Sequence, residues 1–226
     1  MKVAVLFSGG KDSCLALHKA IQEGHKIICL ISILPINKDS FMFHKPDLKL
    51  LKKQAEMLNL PLIVRKSRGE KDRELVDLEF LFQQVHEKVD GIVAGGLASN
   101  YQGDRLKKLC EKYSMNLILP LWGYSPDKLW NELLENKFKI ILTKISCEGI
   151  PKDYLGKVIE KEDYEKLKIL SKKHKFRLDF EGGEAESSVL YMPEFRKELK
   201  IEYEVKSEDK YRHFLKNLKI LDGVQK

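Results

Sequence analysis

Ser8-Gly9-Gly10-Lys11-Asp12-Ser13 brings two glycines, two hydroxyls, an ammonium and a carboxylate together within six residues. Adjacent glycines let the backbone come close to an anion, the serines add hydroxyl donors, and the first amides of a following helix add partial positive charge. The apolar run Val3-Ala4-Val5-Leu6-Phe7 precedes the six residues, and Cys14, Leu17 and Ile21 follow at helical spacing. That strand-turn-helix setting is the one a phosphate cup needs. An ordinary β-turn-α junction uses the same residue types, and a solvated surface lysine would look like Lys11. A second group lies far along the chain, in Glu181-Gly182-Gly183-Glu184-Ala185-Glu186-Ser187. Three carboxylates around a Gly-Gly turn have the chemistry to hold a cation such as Mg²⁺ or to accept a proton, and equally the composition of an acidic surface turn.

The elements that must position these groups alternate. After the first helix, which Gly24 should stop, Lys26 to Leu34 reads as a buried strand ended by Pro35. Leu48, Leu51, Ala55 and Leu58 mark a helix, Leu62-Ile63-Val64 a strand, and Leu75, Leu78, Phe82 and Val85 a longer helix. Gly91-Ile92-Val93-Ala94 is a strand running into Gly95-Gly96; Leu106, Leu109 and Tyr113 give a helix and Leu117-Ile118-Leu119 a strand ending at Pro120. Repeated β-α alternation predicts an α/β fold, a doubly wound parallel sheet with ligands beyond the carboxyl ends of its strands. The loop at Ser8, Ser32 with its following turn, and Gly95-Gly96 should meet there. The ends of the second and fourth strands commonly hold adenine and ribose in this fold class, which makes Ser32 and Gly95 candidates; strand-end packing would place them equally well.

Beyond Pro120 the texture changes. Ser125-Pro126-Asp127 opens a helix through Leu129, Leu133 and Leu134. A strand at Ile140-Ile141-Leu142, a loop near Gly149-Ile150-Pro151, a basic helix around Lys166 to Lys173, and the alternation of Leu199, Ile201, Tyr203 and Val205 with charged residues follow. This predicts a smaller α+β domain over 121–226, after a nucleotide-binding domain over 1–120.

Composition sets outer limits. The 226 residues carry 41 Lys+Arg against 34 Asp+Glu, a net +7, compatible with an acidic partner. No stretch combines dense arginine with stacking aromatics, so nucleic acid is not expected as a partner. Cys14, Cys29, Cys110 and Cys147 are too far apart in sequence for a zinc or redox motif and read as reduced thiols. The six histidines show no metal-ligand pattern. No secretory leader or membrane-length apolar run stands out, so a cytoplasmic protein is expected; a homo-oligomer stays open.

Adjacent glycines followed by Lys-Asp-Ser do not match a Walker A loop, which needs four residues between its glycines. Ser8 to Ser13 resembles instead the pyrophosphate loop (PP-loop) of the N-type ATP pyrophosphatases, enzymes of adenine-nucleotide alpha-hydrolase-like fold that cut ATP between its α and β phosphates. On that resemblance Ser8, Gly9, Gly10 and Ser13 hold the pyrophosphate part of ATP, Lys11 is a further cofactor-binding candidate, and Asp12 sits beside the phosphates and their Mg²⁺. Taken in order, that loop, Ser40-Phe41-Met42-Phe43-His44, Ala98-Ser99-Asn100-Tyr101-Gln102, Pro120-Leu121-Trp122 and Glu181-Gly182-Gly183-Glu184 resemble the ATP-dependent diphthine-ammonia ligase (diphthamide synthetase) family over nearly the whole chain. Ala185 and Ser187 stand where members often have Phe and Thr, Asn100 where Asp is frequent, and Leu155-Gly156-Lys157-Val158 follows the usual Leu-Gly-Arg pattern only loosely.

The resemblance implies amidation: the carboxylate of diphthine, a modified histidine on translation elongation factor 2, becomes the amide of diphthamide, with ATP and ammonium consumed and AMP and pyrophosphate released. An acyl-adenylate is the expected intermediate. Asp12, Glu184 and Glu186 are then the catalytic candidates, with Glu184 or Glu186 as the group that deprotonates ammonium. His44, Tyr101, Glu181, Gly182 and Gly183 are substrate candidates, and Tyr101, Trp122 and Phe180 offer aromatic faces to the quaternary ammonium of diphthine; each is also readable as a packing residue. Too little chain remains for a glutamine-hydrolysing domain, so free ammonium is the expected nitrogen donor, with delivery by a separate glutaminase subunit left open. Two other readings stay open: a PP-loop enzyme that adenylates a tRNA base, and a non-enzymatic adenine-nucleotide-binding module.

Overall fold

Val3, Ala4 and Val5 are fully buried because β1 (Lys2–Leu6) is the middle strand of a parallel sheet. A strand covered on both faces needs apolar residues at every position rather than at alternate ones. The computed structural model describes residues 1–35, 47–67, 73–96 and 100–221, and the chain divides into two units, Met1–Tyr124 and Ser125–Lys226.

The first unit carries β1, α1 (Lys11–Gln22), β2 (Lys26–Pro35), α2 (Leu48–Leu58), β3 (Leu62–Ser67), α3 (Arg73–Val85), β4 (Gly91–Val93), α4 (Asn100–Lys112) and β5 (Asn116–Ile118). The sheet order is β3-β2-β1-β4-β5, all parallel, the doubly wound arrangement that β-α alternation predicts. Ala4, Ile31, Ile33 and Ile92 pack with Leu78, Leu81 and Phe82 of α3 and Leu106 and Leu109 of α4. Val3 and Val5 point to the opposite face by the two-residue period of a strand. Leu15 and Leu17 of α1 are fully buried, each worth roughly 1.5–3 kcal/mol of apolar burial. Glu23 caps α1, and Gly24, at φ +80°, turns the chain toward β2. Residues 119–124 close this unit through turns in which the Trp122 and Tyr124 amides donate to Leu119 and Leu121 carbonyls.

The second unit consists of α5 (Pro126–Glu135), β6 (Lys139–Ser146), a 3-10 turn at Lys152–Tyr154, α6 (Lys161–His174), β7 (Ala185–Tyr191), β8 (Lys200–Ser207) and β9 (Arg212–Leu221). Its strands form a separate antiparallel sheet, β7-β6-β9-β8. Ser125 caps α5 by accepting from the Lys128 amide at 3.2 Å, with Pro126 in the first turn. Trp130, fully buried, stacks on Tyr164 at 5.3 Å between ring centroids and meets Phe180 edge-on at 6.1 Å, while its indole N–H donates to the Leu178 carbonyl.

Sequence reading does not find β7 or β9. β9 alternates imperfectly because most of its length, residues 215–221, pairs only with the exposed edge strand β8. β7 begins inside the segment expected to be an acidic turn, so Glu186 stands on a strand rather than in the turn. Among the described residues no helix is long and apolar enough to cross a membrane.

Candidate functional site

The strand order reverses at β1 and β4, whose loops leave the same edge of the sheet side by side, the usual position of a ligand crevice in this architecture. Phe7 extends the ladder by donating to the Ile31 carbonyl at 2.8 Å. The chain then turns through Gly9 at φ +74°, a region that disfavours any side chain, and enters α1 from Gly10. The Ser13 hydroxyl lies inside this turn, 6% of the residue being exposed. It accepts from the Ser8 amide at 3.2 Å, sits 3.1 Å from the Ser8 hydroxyl and donates to the Gly10 carbonyl at 3.1 Å. The two hydroxyls therefore knit the loop shut from within. The loop wraps the first turn of α1, where a helix leaves its amides without intrahelical partners and its dipole is positive.

Lys11 is buried, and its Nζ lies 2.8 and 3.0 Å from the two carboxylate oxygens of Asp12, whose side chain is 26% exposed. A solvated lysine is thus excluded: the ammonium is held within the protein at the helix start. Gly95, just past β4, is pressed against the same place. A Cβ built on it would stand 2.6 Å from the Asp12 carbonyl carbon and 2.8 Å from the Ser13 nitrogen, so only glycine lets the β4 loop touch the start of α1. Ser32 is the other strand-end candidate. It is buried within β2, paired with Val64, and the strand continues through Pro35. It nonetheless lies one residue beyond Ile31, the partner of the last β1 residue, and so at the level of the loop.

Sequence reasoning missed Gln54 of α2, which is 1% exposed and donates to the Gly9 carbonyl at 2.9 Å. The available signal is a polar residue on the apolar stripe formed by Leu50, Leu51, Ala55 and Met57.

The acidic segment of the second unit is a built turn. Arg177 grips the buried Asp179 through two bonds of 2.9 and 2.6 Å, and Asp179 also accepts from the Glu181 amide. Phe180 at φ +63° and Gly183 at φ +83° complete the reversal. Glu184 folds back so that Oε1 accepts from the Arg177 amide at 3.1 Å, whereas Oε2 is buried with no hydrogen-bond partner among the described residues. Burial, with the Glu184 carboxylate adding to it, pushes the Cys147 thiol up to about 11. Glu186 is committed elsewhere, to Lys144 on β6 at 3.1 Å. Gly182 lies close under the Glu184 carboxylate, which a Cβ there would meet at 2.5 Å. Glu184 and Glu186 thus share a segment while facing different partners.

Among the aromatic candidates, Phe180 is buried against Trp130, which removes it as a face for a ligand. Trp122 is 44% exposed. Of Tyr101 only the helical backbone is described, and His44 lies outside the described residues, as do the segments 40–44 and 98–99.

No group of three or more His, Cys, Asp or Glu among the described residues forms a metal cage. Asp12 offers one partly exposed carboxylate in the first turn of α1, next to the Ser8–Ser13 loop. That donor set fits Mg²⁺ carried on a nucleotide, which typically needs only one or two protein carboxylates besides phosphate and water. The cup has the chemistry to stabilise negative charge, and the Glu184 oxygen the chemistry to accept a proton.

Residues 1–117 match the diphthamide synthase N-terminal domain, and residues 125–222 the diphthamide synthase C-terminal domain. A mouse protein named diphthine–ammonia ligase is 32% identical over 224 residues, covering 89% of this chain and 83% of its own length. The human protein of the same name is 32% identical over 221 residues, covering 88% and 82%. A solved structure described as a predicted subunit of tRNA methyltransferase from Methanocaldococcus jannaschii overlays with a TM-score of 0.48 at 18% identity, covering 88% of this chain and 99% of that one.

Proposed function

We propose that this chain, which belongs to the diphthamide synthase family, converts the carboxylate of diphthine on translation elongation factor 2 to an amide, using ATP and ammonium, in the cytoplasm. The observation that carries this reading is the loop from Ser8 to Ser13, knitted shut around the start of α1 with Gly95 pressed against Asp12, in a chain whose two halves both match the family.

The chemistry requires activation, because a carboxylate would have to expel oxide. Its oxygen attacks the α-phosphorus of ATP and pyrophosphate leaves. The amides at the α1 start and the Gly9-Gly10 turn bind the β and γ phosphates and stabilise the charge that grows on the leaving group. Lys11, fixed beside Asp12, supplies a positive charge at the same end. Mg²⁺, when bound, neutralises phosphate charge, and Asp12 is the residue that would hold it. Gly95 and the buried Ser32 shape the crevice where adenine and ribose lie. The resulting acyl-adenylate has AMP as its leaving group, which ammonia displaces.

Ammonia attacks only in its neutral form. Glu184 is the favoured acceptor of the ammonium proton, since Oε2 is buried and unpartnered among the described residues while Oε1 is anchored on the Arg177 amide. Glu186, paired to Lys144, supports the strand instead. The first unit is read as the nucleotide-binding domain and the second as the substrate domain, in which Glu181, Gly182 and Gly183 frame the turn that carries the base.

The test is to incubate the protein with MgATP, ammonium and diphthine-bearing elongation factor 2, with bulk tRNA in a parallel reaction. AMP release together with a mass change of acid to amide on the protein supports the reading. A mass change on tRNA, or ATP binding with no turnover on either, rejects it.

A further inference from the structure

We propose that Gln54 is a positioning residue for the phosphate loop, holding the Gly9 carbonyl away from the anion cup; the proposal rests on the ATP reading above. Gly9 sits at φ +74°, and glycine flanked by glycine turns its peptide planes at little cost. A carbonyl carries partial negative charge. Turned into the cup, the Gly9 oxygen would repel a phosphate at the spot where the amides should attract it.

Gln54 opposes that turn. Its Nε2 donates to the Gly9 oxygen at 2.9 Å across 45 positions of sequence. Its Oε1 lies where a Cβ on Gly9 would be only 2.0 Å away, so the side-chain amide sits close against the Gly9 α carbon. The arm that carries it is stiff. Leu50, Leu51, Ala55 and Met57 bury the same face of α2, and the Asp47 carboxylate caps the helix by accepting from the Lys49 and Leu50 amides. An apolar residue would fill position 54 without the desolvation cost that a buried amide carries unless it is bonded. A polar residue 1% exposed at that place is explained by the bond it makes.

Two variants of the full chain test this. Gln54→Met keeps the volume and removes the donor without adding charge; Gln54→Glu replaces the amide by a carboxylate that donates only when protonated, and burial favours that protonation. The dissociation constant of MgATP is measured by calorimetry from pH 8 to pH 6, with the melting temperature followed in parallel. Gln54→Met should weaken MgATP by about tenfold, by a ratio to wild type that is flat with pH. Gln54→Glu should weaken it more at pH 8 and recover toward wild type as pH falls. A packing role alone would lower the melting temperature of Gln54→Met and leave its MgATP affinity at the wild-type value. Wild-type affinity in Gln54→Met, or a flat ratio in Gln54→Glu, overturns the proposal even where wild type binds MgATP well. Should Gln54→Met fail to fold, the Gln54→Glu profile decides alone. Failure of wild type itself to bind MgATP overturns both this proposal and the ATP reading.

Discussion

The loop at Ser8 and the turn at Glu181 are both Gly-Gly segments flanked by charge, yet they are held by opposite means. In the first, short side chains close on the backbone: Ser13 bonds to Ser8 and to Gly10, and Gln54 to Gly9. In the second, long charged side chains bind the reversal, with Arg177 on Asp179 and Glu184 on the Arg177 amide. The backbone loop is closed around the positive end of α1 and so suits an anion whose shape is constant. The side-chain turn leaves one carboxylate oxygen, on Glu184, without a partner among the described residues, which suits movement of a proton. In the proposed reaction, binding and proton transfer fall to different kinds of structure.

Substitutions can break this comparison one side at a time. Asp12→Ala should cause the largest loss, on the order of 10²–10³ in AMP formation, as expected when one group serving a developing charge is removed; steady-state AMP release measures it. Glu184→Gln should reduce amide formation by about 10² and leave MgATP affinity unchanged; full amidation in that variant would remove Glu184 as the base. Gly95→Ala should weaken MgATP by about tenfold, because its Cβ would lie 2.6 Å from the Asp12 backbone and relief costs on the order of 1–2 kcal/mol in a packed region; calorimetry against wild type checks it.

A smaller effect separates stability from chemistry. Burial alone would raise the Asp163 carboxyl, but the Lys157 ammonium and the Glu160 amide that bond to it outweigh burial and hold it below the usual carboxylate range. Its contribution to stability is therefore complete above the unfolded carboxyl pKa of about 4 and is lost as pH falls through the lower folded value. Asp163→Ala should destabilise the second unit by about 1–2 kcal/mol at pH 7, with a gap to wild type that narrows in urea unfolding below about pH 4.

The contrast also explains what the sequence could tell. The parallel sheet is legible because β1, β2 and β4 are apolar at nearly every position and punctuated by glycine or proline, and because α1 to α4 repeat at helical spacing. The loop is legible because its geometry is local: six consecutive residues contain most of it. Gln54 is not, since its meaning lies in a contact 45 residues away, and a lone glutamine on a helix reads as solvated. The acidic segment misleads for the same reason. Three glutamates within six residues look like one cluster, but the strand that starts at Ala185 sends Glu186 to Lys144, and only the fold distinguishes it from Glu184. Phe180 shows the reverse error, an aromatic that is attractive for a cation in sequence and packed against Trp130 in the structure. Lys11, indistinguishable from a surface lysine in sequence, is buried on Asp12.

In the proposed reaction the loop grips the outer phosphates so that a substrate oxygen takes the inner one. This is tested most directly by labelling both oxygens of the diphthine carboxylate with ¹⁸O and following the label by mass spectrometry during a single turnover with MgATP and ammonium. Attack at the inner phosphorus should leave one ¹⁸O in AMP, the other in the amide, and pyrophosphate unlabelled. Label in orthophosphate with release of ADP, or amide formation with unlabelled AMP, would contradict it.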